Sequence, residues 1–263
     1  APAQKPAAQV ARRPIVDEPT YPAKPAAPPQ PQRRRLRTFL KIGIPVVLVV
    51  LALGGFGLWW FVLRDDAPPA ASLVTRPTAS TVSGATPDGT WVVQPGADVF
   101  AGYRILELLA GETIKKTAAG RSPAVTGRLT VAGSTIPAAR VDVDVTQLKS
   151  DKSQRDNRIR TDGLQTDTFR TAAFELTTPI QLDGAPVAGA EVAAHAAGKL
   201  TLHGVTRPAI FDLKARWNGD TIDVAGSTEV TMADYQINPP SIGGFVSVDD
   251  HGTVEMQLTF VRG

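Results

Sequence analysis

From Ile42 to Leu63 the chain runs IGIPVVLVVLALGGFGLWWFVL, 22 residues without a charge. A helix rises about 1.5 Å per residue, so such a run reaches about 33 Å and matches a hydrocarbon core of about 30 Å. Signal-peptide apolar regions are shorter and lie nearer the start of a chain. The segment therefore predicts one transmembrane helix over residues 39–63. Pro45 lies near its start, where a missing N–H costs least, and Trp59 and Trp60 lie at the far end, where an aromatic belt is expected.

The flanks orient this span. Residues 1–41 carry nine basic residues against Asp17 and Glu18, a net +7, which leaves −4 for the rest of a chain whose net charge is +3. Arg33, Arg34, Arg35, Arg37 and Lys41 crowd the N-terminal side. The positive-inside rule places residues 1–38 in the cytoplasm as a Pro/Ala-rich disordered tail, with a single span in the cell membrane and the remainder extracytoplasmic. Residues 64–88 are rich in Pro, Ser, Thr and Ala and read as a flexible linker, leaving 89–263 as the folded domain. The high pI of the chain belongs to the tail and is no evidence for nucleic-acid binding by the domain. The chain has no cysteine, which excludes a disulfide framework, a thiolate metal site and a cysteine nucleophile.

From Gly89 onward the hydrophobic pattern has a period of two. Val141, Val143 and Val145 alternate with Asp142, Asp144 and Thr146; Phe211, Leu213 and Trp217 share one face of 209–217; Val224 belongs to 222–226; Met256 and Leu258 belong to 254–260. Such alternation marks half-buried antiparallel strands. Further strands are expected at 91–93, 99–105, 125–131, 173–177 and 192–202, separated by Gly/Asn/Asp clusters at 132–134, 182–184, 218–220 and 249–252. Residues 103–110 fit either a short helix or a continuing strand, and 150–164 fit a loop or one exposed helical turn. About eight strands joined by short connections imply an all-β fold, a meander or a closed antiparallel barrel, because closure removes unpaired edges.

No nucleophile elbow, phosphate loop, dinucleotide fingerprint or zinc-protease motif occurs. His195, His203 and His251 stand apart in sequence, so no metal site is expected, and Asp249-Asp250 reads as a turn. No enzymatic activity is expected. Small residues at inward candidates, among them Ala194, Ala196, Gly198, Ala209 and Gly226, leave open whether the barrel is filled by its own side chains or hollow.

The segment Gly198-Lys-Leu-Thr-Leu-His-Gly-Val-Thr-Arg-Pro208 resembles the signature of the YceI-like family. Val143-Asp144-Val145, Leu148 to Asp151, Arg155-Asp156, Phe169 with Ala172 and Phe174, and Asp234 to Pro240 match that family in the same order. The chain departs from it in lacking His-Ser within 94–98 and in carrying Arg170 where proline is usual. The resemblance implies an extended lipocalin-like β-barrel that binds isoprenoid lipids such as polyprenyl phosphates or quinones, with no cofactor beyond such a bound lipid. The inward apolar residues Val141, Val143, Val145, Phe174, Leu176, Phe211, Leu213, Trp217, Val224, Met256 and Leu258 are the candidate ligand contacts. Arg155, Asp156, His203 and Asp234 are candidates either for the pocket mouth or for turn-fixing hydrogen bonds.

The function expected is that of an anchored extracytoplasmic binding protein, whose partners are an apolar lipid and the membrane and which serves lipid transport, storage or stress protection. The alternative is a barrel that acts through its loops as a scaffold or adhesion module, with no lipid guest. The sequence leaves the oligomeric state open, a homodimer included.

Overall fold

Alternating residues project to opposite faces of an extended chain, so a period-2 pattern is satisfied by pairing strands with one face turned inward. The computed structural model describes residues 45, 47–57, 67–75, 85–109, 114–239 and 246–263. Among these the strands are β1 (Gly89–Val93), β2 (Phe100–Leu109), β3 (Ile114–Ser122), β4 (Val125–Ala132), β5 (Thr135–Asp144), β6 (Lys149–Ser150), β7 (Thr171–Leu176), β8 (Ile180–Gln181), β9 (Glu191–Leu202), β10 (Val205–Trp217), β11 (Thr221–Thr231) and β12 (Val246–Arg262).

Eight of them close a ring in the order β1-β4-β5-β7-β9-β10-β11-β12, and β12 returns to β1 through the pairs Trp91 with Arg262 and Val92 with Val261. All these pairings are antiparallel. The closed all-β barrel expected from the alternation is thus what forms. β12 is long enough to serve twice: its last residues meet β1, while its earlier part pairs with β2, and β3 and β6 extend the sheet from there. Trp91, Phe211 and Leu258 are the large apolar side chains most completely enclosed. The Trp91 indole N–H donates to the Pro87 carbonyl at 2.8 Å, which satisfies its polar handle.

The turn between β9 and β10 explains the most specific stretch of the sequence. His203 and Gly204 both have positive φ, 49° and 73°, and are flanked by the pair Leu202 with Val205. A two-residue hairpin loop of this kind matches the right-handed twist of its strands but needs left-handed backbone at both positions. A Cβ on Gly204 would also lie 2.7 Å from the Phe169 ring.

Of the two readings left open for residues 103–110, the continuing strand is the one that forms, with β2 running to Leu109. Other details differ from the sequence reading. β3 was not anticipated, since its sequence IKKTAAGRS is poor in the β-branched and aromatic residues that signal strands. The cluster at 249–252, expected as a turn, is an irregularity inside β12, where pairing to β2 jumps between Val248 and Gly252. The His251 N–H donates to Asp249 Oδ1 at 3.2 Å, a local side-chain bond of the kind that competes with the ladder. Residues 150–164 hold a helix, Ser153–Arg158, which runs into a π-helix, Ile159–Gly163.

The chain divides into two units, Ala1–Gly57 and Leu58–Gly263. In the first, residues 45 and 47–57 of the expected span are helical, and Leu48, Leu51 and Leu53 are exposed. Among the described residues no helix is long and apolar enough to cross a membrane, so the structure gives the expected transmembrane helix no support. The expected tail, 1–38, and the rest of the span lie outside the described residues. In the second unit, residues 67–75 of the expected linker lie against the barrel. The Ala71 N–H donates to Glu255 Oε2 at 2.9 Å, and Arg104 donates to the Pro68 carbonyl at 2.6 Å.

Candidate functional site

Two adjoining cavities are lined by the strands of the sheet, the first partly by β2, which lies outside the eight-strand ring. The first, about 150 Å³, is lined from β2, β5, β7, β9, β10 and β12, together with the helical segment around Ile159. The second, about 110 Å³, lies between β4, β5, β9, β10, β11 and β12. Val141, Phe174 and Met256 line both, so the two adjoin across these side chains. Cavities walled almost wholly by apolar atoms offer water too few hydrogen-bond partners to hold it, and they suit an apolar guest.

The structure places ten of the eleven expected inward residues on these walls. Val141, Val143, Val145, Phe174, Phe211 and Met256 line the first cavity. Leu213, Trp217, Val224 and Leu258 line the second. Leu176 lines neither, and is partly buried against the core beside them. Of the small residues, Ala194 and Ala196 line the second cavity. The glycines leave no free volume there: a Cβ on Gly198 would lie 2.5 Å from the Phe174 ring, and one on Gly226 would lie 2.4 Å from Leu213. They are narrow so that a large neighbour can lie across them.

None of the four polar candidates is among the described residues that line these two cavities. Arg155 makes a two-pronged contact with Glu107, Nε to Oε1 at 2.7 Å and Nη2 to Oε2 at 2.9 Å, and also pairs with Asp151. Burial opposes its charge, but the hydrogen bonds and charge of Glu107, reinforced by Asp151, hold the guanidinium pKa above its ordinary value. Asp156 accepts from the Ser150 N–H at 2.8 Å and from Ser150 Oγ at 2.6 Å. His203 has Nδ1 3.2 Å from the Tyr235 carbonyl and stands edge-on to Phe169, with ring centroids 4.2 Å apart. Asp234 is exposed, and its carbonyl accepts from Arg207 at 3.1 Å. These groups hold the loops that frame the first cavity.

Residues that the alternation did not disclose complete that cavity. Ile159, Gly163 and Leu164 line it from the helical segment. The Leu164 N–H donates to the Ile159 carbonyl at 2.8 Å, an i to i+5 bond that brings both side chains to one side. Tyr103 lines it from β2, and its hydroxyl is buried without a hydrogen-bond partner among the described residues. Burial pushes the Tyr103 pKa up; the charge of Arg155 opposes this, and Asp156, Glu107 and Asp151 add to it. The phenol therefore keeps its proton. Elsewhere, Asp249, Asp250 and His251 bring three donor atoms within 4.8 Å of one another on the exposed irregularity of β12. His251 Nδ1 lies 2.5 Å from Asp250 Oδ1, an ion pair that accounts for the arrangement.

Comparison with known proteins agrees with this architecture. A protein-family model described as YceI-like domain matches residues 78–260. A UPF0312 protein of Vibrio cholerae (classical Ogawa strain) is 26% identical over 118 residues, covering 42% of this chain and 59% of the relative. One from Vibrio vulnificus (strain YJ016) is 27% identical over 141 residues, covering 50% and 71%. The chain thus spans about three fifths of the length of the first curated relatives it matches. Among solved structures, a polyisoprenoid binding domain from Saccharophagus degradans implicated in plant cell wall breakdown superposes with a TM-score of 0.51 at 16% identity, covering 66% of this chain and 98% of that one. Burkholderia cenocepacia BcnA gives 0.45 at 14% identity, covering 60% and 95%.

Proposed function

The chain belongs to the YceI-like family, and from that premise we propose that its barrel is a binding protein holding an apolar, isoprenoid-type lipid, a polyprenyl phosphate or a quinone, along the ring interior. The observation that carries this reading is the pair of adjoining apolar cavities that share Val141, Phe174 and Met256. A solved relative of the same fold is described as a polyisoprenoid binding domain, which supports the choice of guest. Withdrawing about 300 Å² of apolar chain from water yields about 7 kcal/mol before ordering costs, enough for useful affinity. The guest would serve transport, storage or protection.

The finer reading is that the apolar run Ile42–Leu63 anchors this barrel on the outer side of the cell membrane. Its support is the length of the run and the charge bias on its flanks. Protease added to intact protoplasts then removes the barrel and spares residues 1–38; a protected barrel overturns this topology.

The test of the lipid reading is extraction of the purified full chain with organic solvent, followed by mass spectrometry. A stoichiometric isoprenoid-type lipid is expected. Its absence, together with failure to take up an added isoprenoid, favours a barrel that acts through its loops.

A further inference from the structure

Three strands pass the two cavities in the same order. Along β9, Leu202 lines the first and Ala194 the second; along β10, Phe211 lines the first and Trp217 the second; along β12, Gly252 lines the first and Phe260 the second. The cavities therefore lie end to end along the strands rather than side by side. From Gly252 to Phe260 is about 27 Å of strand at about 3.4 Å per residue, or about 20 Å along the axis of a barrel whose strands tilt by about 40°. A space of that shape suits a linear chain.

The far end of the second cavity carries a floor. Trp217 is the last residue of β10, and its indole N–H donates to the Gly219 carbonyl at 2.8 Å. Its own carbonyl accepts from the Gly189 N–H at 2.7 Å, which ties down the 182–190 connection, whose Leu182 and Pro186 also line this cavity. Pro87, Trp217, Ile222 and Phe260, which line the same end, are all buried. A polar head placed against this apolar floor would lose its water without gaining a partner, so the tail of a guest points there.

Volume limits the guest more tightly than length. A cavity of about 150 Å³ takes a molecule of benzene's size, about six carbon atoms. The first cavity has that volume, about 150 Å³, and the second about 110 Å³. The space thus offers room for about ten carbon atoms, and for about fifteen where a pliable side chain such as Met256 gives way. A buried methylene strengthens binding by up to about four-fold, whereas one left outside adds nothing.

Resting on the lipid-holding reading, we infer that the barrel selects its guest by tail length: it takes a short isoprenoid chain of about two to three units, with the tail end against Trp217, and gains nothing from further units. Trp217 sets the limit at one end, and Ala194 keeps the space beside it open.

Three alcohols with the same head separate the possibilities: geraniol, farnesol and geranylgeraniol, which differ in turn by one isoprene unit. Binding is measured on the full chain by calorimetry. Farnesol is expected to bind at least about ten-fold more tightly than geraniol, and geranylgeraniol less than about three-fold more tightly than farnesol. A larger gain at the last step overturns the inference, and so does a flat series in which geraniol matches farnesol. Trp217→Leu lowers the floor and is expected to let geranylgeraniol lead farnesol by at least about five-fold. Ala194→Leu narrows the space and is expected to abolish the lead of farnesol over geraniol. Folded variants that leave the break where it was overturn the inference as well; if neither folds, the wild-type series decides. If none of the three alcohols binds, the lipid-holding reading fails and this inference falls with it; if affinity climbs with every unit, only the inference fails.

Discussion

The rings of Phe174 and Phe211 meet edge to face, with centroids 4.8 Å apart and planes inclined at 61°. Phe174 also lines both cavities, so this pair stands where the barrel interior narrows. Phe174→Ala is expected to cost about 3–5 kcal/mol by cavity creation and to join the two spaces. Urea unfolding reads the first effect. The second is read by a shift in guest preference toward longer tails, whereas Phe174→Leu keeps most of the constriction and preserves the original preference.

Filling the second cavity tests the same geometry from the opposite direction. Ala196 is buried in its wall, and Ala196→Phe is expected to cost about 1–3 kcal/mol through overpacking and to exclude an apolar guest from that space. Asp142→Asn, on the outer face where Arg140 donates to Asp142 Oδ1 at 2.7 Å, leaves binding unchanged. Lipid uptake by the two folded variants distinguishes a guest inside the ring from one on its surface.

Glu255 holds residues 67–75 against the barrel. Its side chain is 1% exposed, accepts from Arg121 Nη2 at 3.0 Å and from the Ala71 N–H at 2.9 Å, and leaves no room for an unpaired charge. Glu255→Gln keeps the shape but removes the ion pair, with an expected cost of about 3 kcal/mol. Limited proteolysis should then cut within residues 67–75 of the variant faster than in the wild type.

His251 offers a pH signature. The hydrogen bond and charge of Asp250 raise its pKa above the ordinary 6.5, while its own presence lowers that of Asp250. A raised histidine pKa means that the pairing is fully present below the ordinary value and is lost as pH rises through the shifted one; on the carboxylate side it is lost as pH falls through the lowered value. Nuclear magnetic resonance titration should place the His251 midpoint above 6.5 and return it toward that value in Asp250→Asn. Both groups are exposed, so the effect on overall stability is small.

The inward faces were legible because their signal is local. Val141, Val143 and Met256 sit in strands whose polar residues mark the opposite face, and a period of two needs no knowledge of partners. What was not legible depends on contacts across the sheet. β3 presents Ala118 and Gly120 toward Ile105 and Tyr103, and small residues chosen to admit a neighbour look like no strand at all. Asp223 lies on the polar side of β11 yet is buried, accepting from Asn218 Nδ2 and Thr259 Oγ1, each at 2.8 Å. The π-helical bond from Leu164 to Ile159 turns two separated apolar residues into one wall, and no helical or strand period predicts it. The hydroxyl of Tyr103 was hidden for a similar reason: its lack of a partner is a property of the assembled cavity.

The ring is sealed where β1 meets β12, between Trp91 and Arg262. These are pairings of very large sequence separation, and loops that long must be closed before their contacts repay the entropy, which makes such topologies slow to fold. During synthesis the strands from β4 onward can pair in turn, but the sheet stays open, with its inner face uncovered, until the residues of β12 arrive. Final closure is therefore a late step, and variants that weaken the Trp91 seam should act on the refolding rate and on aggregation of the open sheet more than on the order in which the inner hairpins form.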